Sequence, residues 1–197
     1  MNKKWMVGVD EAGRGPLAGP VAVGAVKVPE DFDWSLLPEV GDSKKLSAGA
    51  RDVVFNRAKE LRYRGLLDFS VAQVGSSVID SMGIVFAINV AMTRCIKRLQ
   101  LEPKTCHIKL DGALKAHQRF TQETIIKGDD KEKVIGLASI VAKVTRDKYM
   151  KRISRRYPQY GFEEHMGYGT KKHRAQIAKC GKSPIHRVSY CKNIKTL

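Results

Sequence analysis

The sequence predicts an α/β protein built in layers around a mixed β-sheet. Two observations carry this prediction: three short apolar strands come early in the chain, and amphipathic helices then alternate with two further strands. With 197 residues, of which 43% are hydrophobic, the chain is long enough for one domain with a sizeable core. We expect residues 1–157 to form this domain and residues 158–197 to form a small helical C-terminal appendage.

Apolar runs bounded by turn residues mark the early strands. Residues 5–9 are expected to form a buried strand that ends at Asp10, and residues 20–28 a second strand rich in Val and Ala. A glycine-rich turn separates the two, so they should form a hairpin-like pair with a long polar connection. A third strand is expected at 66–74.

The remaining elements follow from helical periodicity and capping signals. Ser47 can cap a helix that runs to about residue 63, and Gly181 ends the last predicted helix. The other predicted helices and strands are a long helix at 78–99, strands at 105–110 and 121–126, a long amphipathic helix from 131 to about 157, and a short helix at 170–179.

The chain is strongly basic, with a formal net charge of +16. Its Lys and Arg residues are spread along the sequence rather than collected in a tail, which indicates a basic face on a folded domain. Such a face points to a polyanionic partner, nucleic acid before an anionic membrane surface, although greater solubility is the alternative. No apolar run in the sequence is long enough to span a bilayer, and no pair of the four cysteines has CxxC spacing. We therefore expect a cytoplasmic monomer with free thiols and no membrane partner.

Four acidic residues lie at predicted strand ends: Asp10, Glu11, Asp111 and Asp129. Carboxylates gathered at one edge of a sheet repel one another unless a cation is present, and oxygen ligands of this kind suit Mg²⁺ or Mn²⁺. A pair of such ions can catalyse hydrolysis of a phosphodiester. The alternative, that each Asp is a turn residue or a helix N-cap, applies most strongly to Asp129 and its neighbour Asp130.

A glycine-rich segment, Gly13-Arg14-Gly15-Pro16, follows the acidic pair directly. Glycines let the backbone approach a ligand closely, so this segment could touch a sugar while Arg14 meets a phosphate. A plain turn is the alternative. A P-loop is excluded because the sequence lacks GxxxxGK[ST], and no GxGxxG follows a strand, so a dinucleotide site is not expected.

Blocks of residues along nearly the whole chain resemble the ribonuclease HII family, the type 2 ribonucleases H. They occur in the family's order and include VDEAGRGPLAGP (9–20), DSKKLS (42–47), DG (111–112), KGD (127–129), ASIVAKVTRD (138–147), YPQYGF (157–162) and GYGT (167–170). Met166 departs from the pattern, since many members have Lys there. The combination of blocks is far more specific than any one of them.

The resemblance implies a ribonuclease H-like fold, with a five-stranded mixed sheet flanked by helices and a small helical C-terminal part that contributes to substrate binding. It implies a metal-dependent endonuclease that hydrolyses the RNA strand of RNA–DNA hybrids and cuts 5′ of single ribonucleotides embedded in duplex DNA. The products would carry 3′-hydroxyl and 5′-phosphate ends, and the roles would be ribonucleotide excision repair and DNA replication. Two other functions stay open: a non-catalytic basic nucleic-acid-binding protein, and another metal-dependent nuclease of the same fold.

The resemblance also implies roles for individual residues. Asp10, Glu11, Asp111 and Asp129 match the family's catalytic, metal-binding carboxylates. The substrate-binding matches are Gly13, Arg14 and Gly15, whose backbone senses the ribose 2′-hydroxyl; Tyr168, which stacks on the following deoxyribose; and Ser43, Lys44, Ser139 and Lys143, which look like phosphate contacts. Arg146 and Asp147 could instead form a structural ion pair, and His173 and Arg187 could be structural or phosphate-binding.

Overall fold

The predicted α/β architecture with a five-stranded mixed sheet is confirmed by a computed structural model, which describes residues 4–42 and 45–195. The strand order is β3-β2-β1-β4-β5; β1 pairs antiparallel with β2 and parallel with β4. The β2–β3 pair is antiparallel and the β4–β5 pair is parallel. The strands are β1 Trp5–Ala12, β2 Val21–Pro29, β3 Asp68–Val74, β4 Cys106–Asp111 and β5 Thr121–Ile125.

Helices cover both faces of the sheet. The α-helices of the described residues are α1 Ala48–Tyr63, α2 Ser76–Met82, α3 Ile84–Arg98, α4 Gly128–Lys131, α5 Lys133–Ser154, α6 Phe162–His165 and α7 Lys171–Cys180. Helix α3 packs on one face, where its buried Ile88 and Met92 join Val7 and Val9 of β1 in a single apolar cluster. Helices α1 and α5 pack on the opposite face, so the sheet is sandwiched between two helical layers.

The first strand is longer than predicted. It extends to Ala12 because residues 10–12 continue the antiparallel ladder with β2, Asp10 opposite Gly24 and Glu11 opposite Val23. The prediction that the strand ends at Asp10 was therefore wrong. The two acids are consecutive residues near the end of the strand, so their side chains leave opposite faces of the sheet.

Two predicted helices are each divided in the structure. The predicted helix at 78–99 is interrupted at Gly83, whose φ of 84° lies outside the helical region and separates α2 from α3. The predicted helix that starts at residue 131 is preceded by the short α4 and separated from it by Glu132, which is extended. Apolar residues flank Gly83 on both sides, which is why the pattern did not reveal that break, and the predicted start at 131 lay one residue before the extended Glu132.

The C-terminal residues pack against α5 and against the segment that joins β1 to β2. A third apolar cluster contains Leu17 and Ala18 of that segment, Met150 of α5, and Phe162 and Ile177 of the C-terminal helices. The division into residues 1–157 and 158–197 stays a prediction. All four cysteines are free thiols, and no helix in the described ranges has the length and apolar character needed to cross a membrane.

Candidate active site

The alternation of β1 decides where its two acids point. Val7 and Val9 face the cluster around α3, whereas Gly8 faces α5 so closely that a Cβ on it would overlap the Val134 carbonyl. Asp10, two residues after Gly8, leaves the same face of the strand and meets Ser139 of α5. The close approach of α5 at Gly8 therefore brings a helix side chain to the Asp10 carboxylate.

The Asp10 carboxyl group is buried, with 5% of the residue exposed. The pKa of Asp10 is raised from 3.8 to about 7, chiefly by burial, with the charges of Glu11 and Asp111 contributing to the rise. Hydrogen bonds from the Ser139 hydroxyl and from the Glu11 backbone N–H, which lies 2.7 Å from Oδ1, act in the opposite direction. Burial and two neighbouring acids thus disfavour the ionised form of Asp10.

Glu11 experiences a similar environment. Burial raises the pKa of Glu11, the charge of Asp111 adds to the shift, and Arg14 opposes it through an ion pair of 2.8 Å between Arg14 Nη1 and Glu11 Oε1. The second oxygen, Oε2, is buried and makes no hydrogen bond to any part of the chain that the structure describes. A buried carboxylate oxygen without a partner is costly, and a bound cation would satisfy it.

The other two acids are placed by β4 and by the turn that follows β5. Asp111 is the last residue of β4, and its Oδ1 accepts a hydrogen bond of 2.6 Å from the Gly128 N–H at the start of α4. Asp129 lies in α4 and is 9% exposed. Lys109 Nζ, on β4, contacts Glu132 Oε2 at 2.9 Å and so fixes the far end of the same turn. Strand β4 therefore holds the segment that carries Asp129 at both of its ends.

Most of the predicted site residues line one cavity of about 390 Å³. Its lining includes Glu11, Asp129, Gly13, Arg14, Gly15, Ser139, Lys143 and Tyr168. Asp10 and Asp111 act electrostatically on one another and on Glu11 at the same end of the sheet. Residues from four separate stretches of the chain thus meet at one place, as the predicted site requires.

The structure also gives partners to the two predicted phosphate contacts on α5. Lys143 Nζ lies 2.7 Å from both Asp147 oxygens while also lining the cavity, and Ser139 interacts with Asp10. The alternative that Arg146 and Asp147 form an ion pair is not what the hydrogen bonds show. Arg146 is fully buried and donates to the carbonyls of Pro20 and Ala18, at 2.9 and 3.2 Å.

The glycine-rich segment is held from beneath by Arg187. Gly13 has a φ of 88°, and Arg146 packs directly against it where a side chain would otherwise stand. Arg187 is fully buried and donates to two carbonyls of the segment, Gly13 at 2.6 Å and Arg14 at 2.8 Å, and to the Gly19 carbonyl beyond it at 3.0 Å. Of the two roles left open for Arg187, the structure supports the structural one.

Tyr168 and His173 form one connected unit at the edge of the cavity. Tyr168 is 44% exposed and lines the cavity, and its backbone carbonyl lies 2.8 Å from His173 Nδ1. His173 is fully buried, with its Nε2 3.0 Å from Nε2 of His186. His173 therefore has a structural role too, beneath the tyrosine that the family resemblance assigns to substrate.

Ser43 and Lys44, predicted as phosphate contacts, lie outside the described residues. A basic residue that the sequence analysis did not single out, Arg51 in the first turn of α1, lines the cavity and donates to the Leu46 carbonyl at 2.6 Å. Its position four residues after the DSKKLS block was the available signal.

The donor set suits a hard divalent cation. The candidate ligands are all carboxylates, one of their buried oxygens has no partner among the described residues, and their charges repel. As placed, however, no three His, Cys, Asp or Glu side chains of residues 4–42 and 45–195 converge closely enough to enclose one ion. A metal centre here therefore requires side chains such as Glu11 to rotate away from their present partners.

Comparison with known proteins assigns the family. The family model described as Ribonuclease HII matches residues 7–193. A ribonuclease HII of Endomicrobium trichonymphae is 45% identical over 186 residues, which cover 94% of this chain and 84% of that relative. The crystal structure of ribonuclease H2 from Pyrococcus horikoshii OT3 has a TM-score of 0.74 and 26% identity, covering 97% of each chain.

More distant structures share the fold. That of Bst-RNase HIII in complex with Mn²⁺ has a TM-score of 0.66 and 18% identity, covering 91% of this chain and 63% of that one. The ribonuclease H-like fold predicted from the resemblance is thus confirmed. From these similarities, the chain belongs to the ribonuclease HII family and is a ribonuclease H enzyme.

Proposed function

We propose that this ribonuclease H hydrolyses RNA strands of RNA–DNA hybrids and also cuts 5′ of single ribonucleotides embedded in duplex DNA, leaving 3′-hydroxyl and 5′-phosphate ends. The observation that carries the proposal is the shared cavity, where acids from β1 and α4 meet a glycine-rich backbone segment, a lysine and an exposed tyrosine. Acids and basic or aromatic groups in one cavity provide for both a metal centre and a nucleic-acid strand.

Asp10, Glu11, Asp111 and Asp129 would hold divalent ions, Mg²⁺ or Mn²⁺. When bound, two such ions align the attacking water and the leaving oxygen of a phosphodiester and neutralise the charge that develops. Two groups support this assignment: Glu11 Oε2, which is buried without a hydrogen-bond partner in the described part of the chain, and the desolvated Asp10. Both gain a counter-charge when a cation binds. Rotation of Glu11 toward a cation would release Arg14 from its 2.8 Å ion pair.

Once released, the Arg14 guanidinium would be available at the cavity wall to bind the substrate. Arg14 is about half exposed and lies in the segment whose backbone would contact the ribose, so its guanidinium could pair with a phosphate. Lys143, which already lines the cavity opposite, would supply a second phosphate contact. Ser139, through its interaction with Asp10, would act on the metal ligand as well as on a phosphate.

The C-terminal residues would contribute to substrate binding through Tyr168. This residue is exposed on the cavity wall, and an exposed aromatic ring is a surface on which a sugar or base can stack. The ring stands about 5.9 Å from the buried Arg146 guanidinium, which fixes the region behind it. We therefore propose that residues 158–197 supply the part of the site that reads the nucleotide after the ribonucleotide.

A cleavage assay on matched duplexes tests the proposal. Three substrates of one sequence are needed: a duplex with one ribonucleotide, an RNA–DNA hybrid and an all-DNA duplex, each with Mg²⁺, with Mn²⁺ and with chelator. We expect cutting of the first two, no cutting of the third, and no activity without metal. Equal cutting of all-DNA would indicate another nuclease of the same fold, and binding without cutting in either metal would indicate a non-catalytic binder.

A further inference from the structure

We propose that Arg187, far from the carboxylates in sequence, is a positioning residue that orients the amide groups of the Gly13–Gly15 segment for recognition of the ribose 2′-hydroxyl. The inference rests on the proposed function, since it assigns a source of specificity to the same site. It begins from the three carbonyls that the buried Arg187 guanidinium binds, two of which, those of Gly13 and Arg14, are consecutive.

The geometry of the peptide bond turns these two contacts into an orientation. In a planar trans peptide, the C=O of one residue and the N–H of the next point in opposite directions. Because the Gly13 and Arg14 carbonyls point at Arg187, the N–H groups of Arg14 and Gly15 point away from it. The buried guanidinium lies behind the segment, and the segment itself lines the cavity. Two successive N–H groups therefore face the side from which a substrate approaches, an arrangement that binds oxygen acceptors.

The planar fork of arginine is what this arrangement needs. Nη1 and Nη2 reach the Arg14 and Gly13 carbonyls at 2.8 and 2.6 Å, while Nε reaches the Gly19 carbonyl, farther along the chain, at 3.0 Å. A lysine would keep the positive charge but cannot reach three fixed carbonyls with the same geometry. The role therefore belongs to the shape of the guanidinium and not to its charge alone.

Arg187 is itself held in place by contacts outside the cavity. Its backbone N–H donates to the Leu17 carbonyl at 2.7 Å, and the Ile185 carbonyl accepts from the Gly19 N–H at 2.9 Å. The following residues are held by Asp80 of α2, whose carboxylate accepts from the Val188 N–H at 2.8 Å and the Ser189 N–H at 3.0 Å. The hydrogen bonds of residues 185–189 thus connect α2 to the glycine-rich segment.

The second buried arginine supports the same segment from another side. Arg146 packs against Gly13 and donates to the Ala18 and Pro20 carbonyls, while its Nη1 is buried without a hydrogen-bond partner in the described residues. The pKa of Arg187 is lowered to about 10, chiefly by burial and also by the adjacent Arg146 charge. Two buried cations held mainly by backbone carbonyls are costly, which argues that the conformation they enforce is used.

The test compares Arg187→Lys with Arg155→Lys, the same chemical change at the exposed arginine that directly follows α5. Affinity for the single-ribonucleotide duplex and for the matching all-DNA duplex is measured in Ca²⁺, and kcat and KM are measured in Mg²⁺. For Arg187→Lys we expect the preference for the ribonucleotide duplex to fall by about tenfold, with the all-DNA affinity changed by less than about threefold. We also expect kcat to fall by more than KM changes, and Arg155→Lys to retain the parent's preference.

A folded Arg187→Lys protein that keeps the parent's preference and kcat would overturn the inference. If Arg187→Lys does not fold, Asp80→Asn provides the second variant, since it loosens residues 188–189, which adjoin Arg187, without changing the arginine itself. It should reduce the preference in the same direction by a smaller factor, and an unchanged preference would again overturn the inference. A parent that neither cuts nor prefers the ribonucleotide duplex would reject the proposed function, and the inference would fall with it.

Discussion

Two regions of this molecule bury charged or titratable side chains, and they differ in whether the chain provides hydrogen-bond partners for them. At the end of the sheet, Asp10 is buried and Glu11 partly buried beside Asp111, and Glu11 Oε2 has no hydrogen-bond partner among the described residues. Behind the glycine-rich segment, Arg187 and His173 are fully buried, and backbone carbonyls or another imidazole meet their polar atoms. The acids of the first region need a group from outside the chain, whereas Arg187 and His173 find their partners within it.

This difference indicates that the first region carries out the chemistry and that the second holds the site in position. An unsatisfied cluster of like charges is destabilising by itself and is expected where a cation or substrate binds. A satisfied network rigidifies its surroundings. The histidines illustrate the second case: the Ser183 N–H donates to His186 Nδ1 at 2.9 Å, which leaves His186 Nε2 to donate to His173 Nε2 and His173 Nδ1 to donate to the Tyr168 carbonyl. This chain of bonds requires both rings to be neutral.

The largest expected effect comes from removing charge at the acidic region. Asp10→Asn should lower cleavage of the single-ribonucleotide duplex by on the order of a thousandfold or more, because a metal ligand is lost while the fold remains. Affinity for the duplex in Ca²⁺ or without metal should survive. The matched control, Asp31→Asn at an exposed carboxylate, should cut as fast as the parent. Parent-like cleavage by Asp10→Asn would show that the site has been assigned wrongly.

The same substitution should stabilise the metal-free protein. The pKa of Asp10 is raised from 3.8 to about 7, so ionising it in the folded state opposes folding, and this penalty grows as the pH rises through that interval. At pH 8, thermal or urea unfolding should show Asp10→Asn to be more stable than the parent by roughly 1–4 kcal/mol. The advantage should shrink below about pH 4, where Asp10 is protonated in both states. A destabilised variant at pH 8 would contradict the view that this carboxylate is unsatisfied.

The histidine region should show the opposite dependence on pH. Burial lowers the pKa of both His173 and His186 from 6.5 to about 4, with the neighbouring His165 adding to each shift. The unfolded chain therefore takes up protons before the folded one, and stability present above pH 6.5 is lost as the pH falls toward 4. We expect a loss on the order of 1–3 kcal/mol over this interval in the parent.

Substituting His186 would isolate that contribution. In His186→Asn the loss between pH 6.5 and 4 should be smaller, although the variant should be less stable than the parent at pH 7.5 because the Ser183 and His173 contacts change. His117→Asn, at an exposed histidine, should follow the parent curve. If His186→Asn and the parent lose stability equally between these pH values, the neutral pair does not control it.

The sequence predicted more of the sheet than of the helices, for physical reasons. Apolar runs bounded by turns predicted where the strands occur in the sequence. They did not predict the end of β1, because Asp10 and Glu11 pair with β2 like any strand residues. The break at Gly83 was hidden because apolar spacing continues from α2 into α3. Backbone pairing and a single positive φ are decided by tertiary contacts that the pattern does not contain.

The candidate site divides in the same way. Residue types and family resemblance pointed to Asp10, Glu11, Gly13 and Tyr168, and the structure brings their segments together. They could not reveal that Ser139 interacts with Asp10. They also left the role of Arg187 open, because its partners are backbone carbonyls more than 160 residues away, a class of contact that leaves no trace in side-chain identity.

The position of bound Mn²⁺ tests whether Asp10, Glu11, Asp111 and Asp129 hold the metal ions. Anomalous diffraction from crystals of the Asp10→Asn variant with a single-ribonucleotide duplex, beside crystals of the parent with the uncut all-DNA duplex, would locate the ions in both. We expect manganese in the parent within ligand distance of Asp10 and of at least two of Glu11, Asp111 and Asp129, with reduced occupancy in the variant. Manganese bound away from these carboxylates, or bound with equal occupancy in both proteins, would contradict a metal centre held by them.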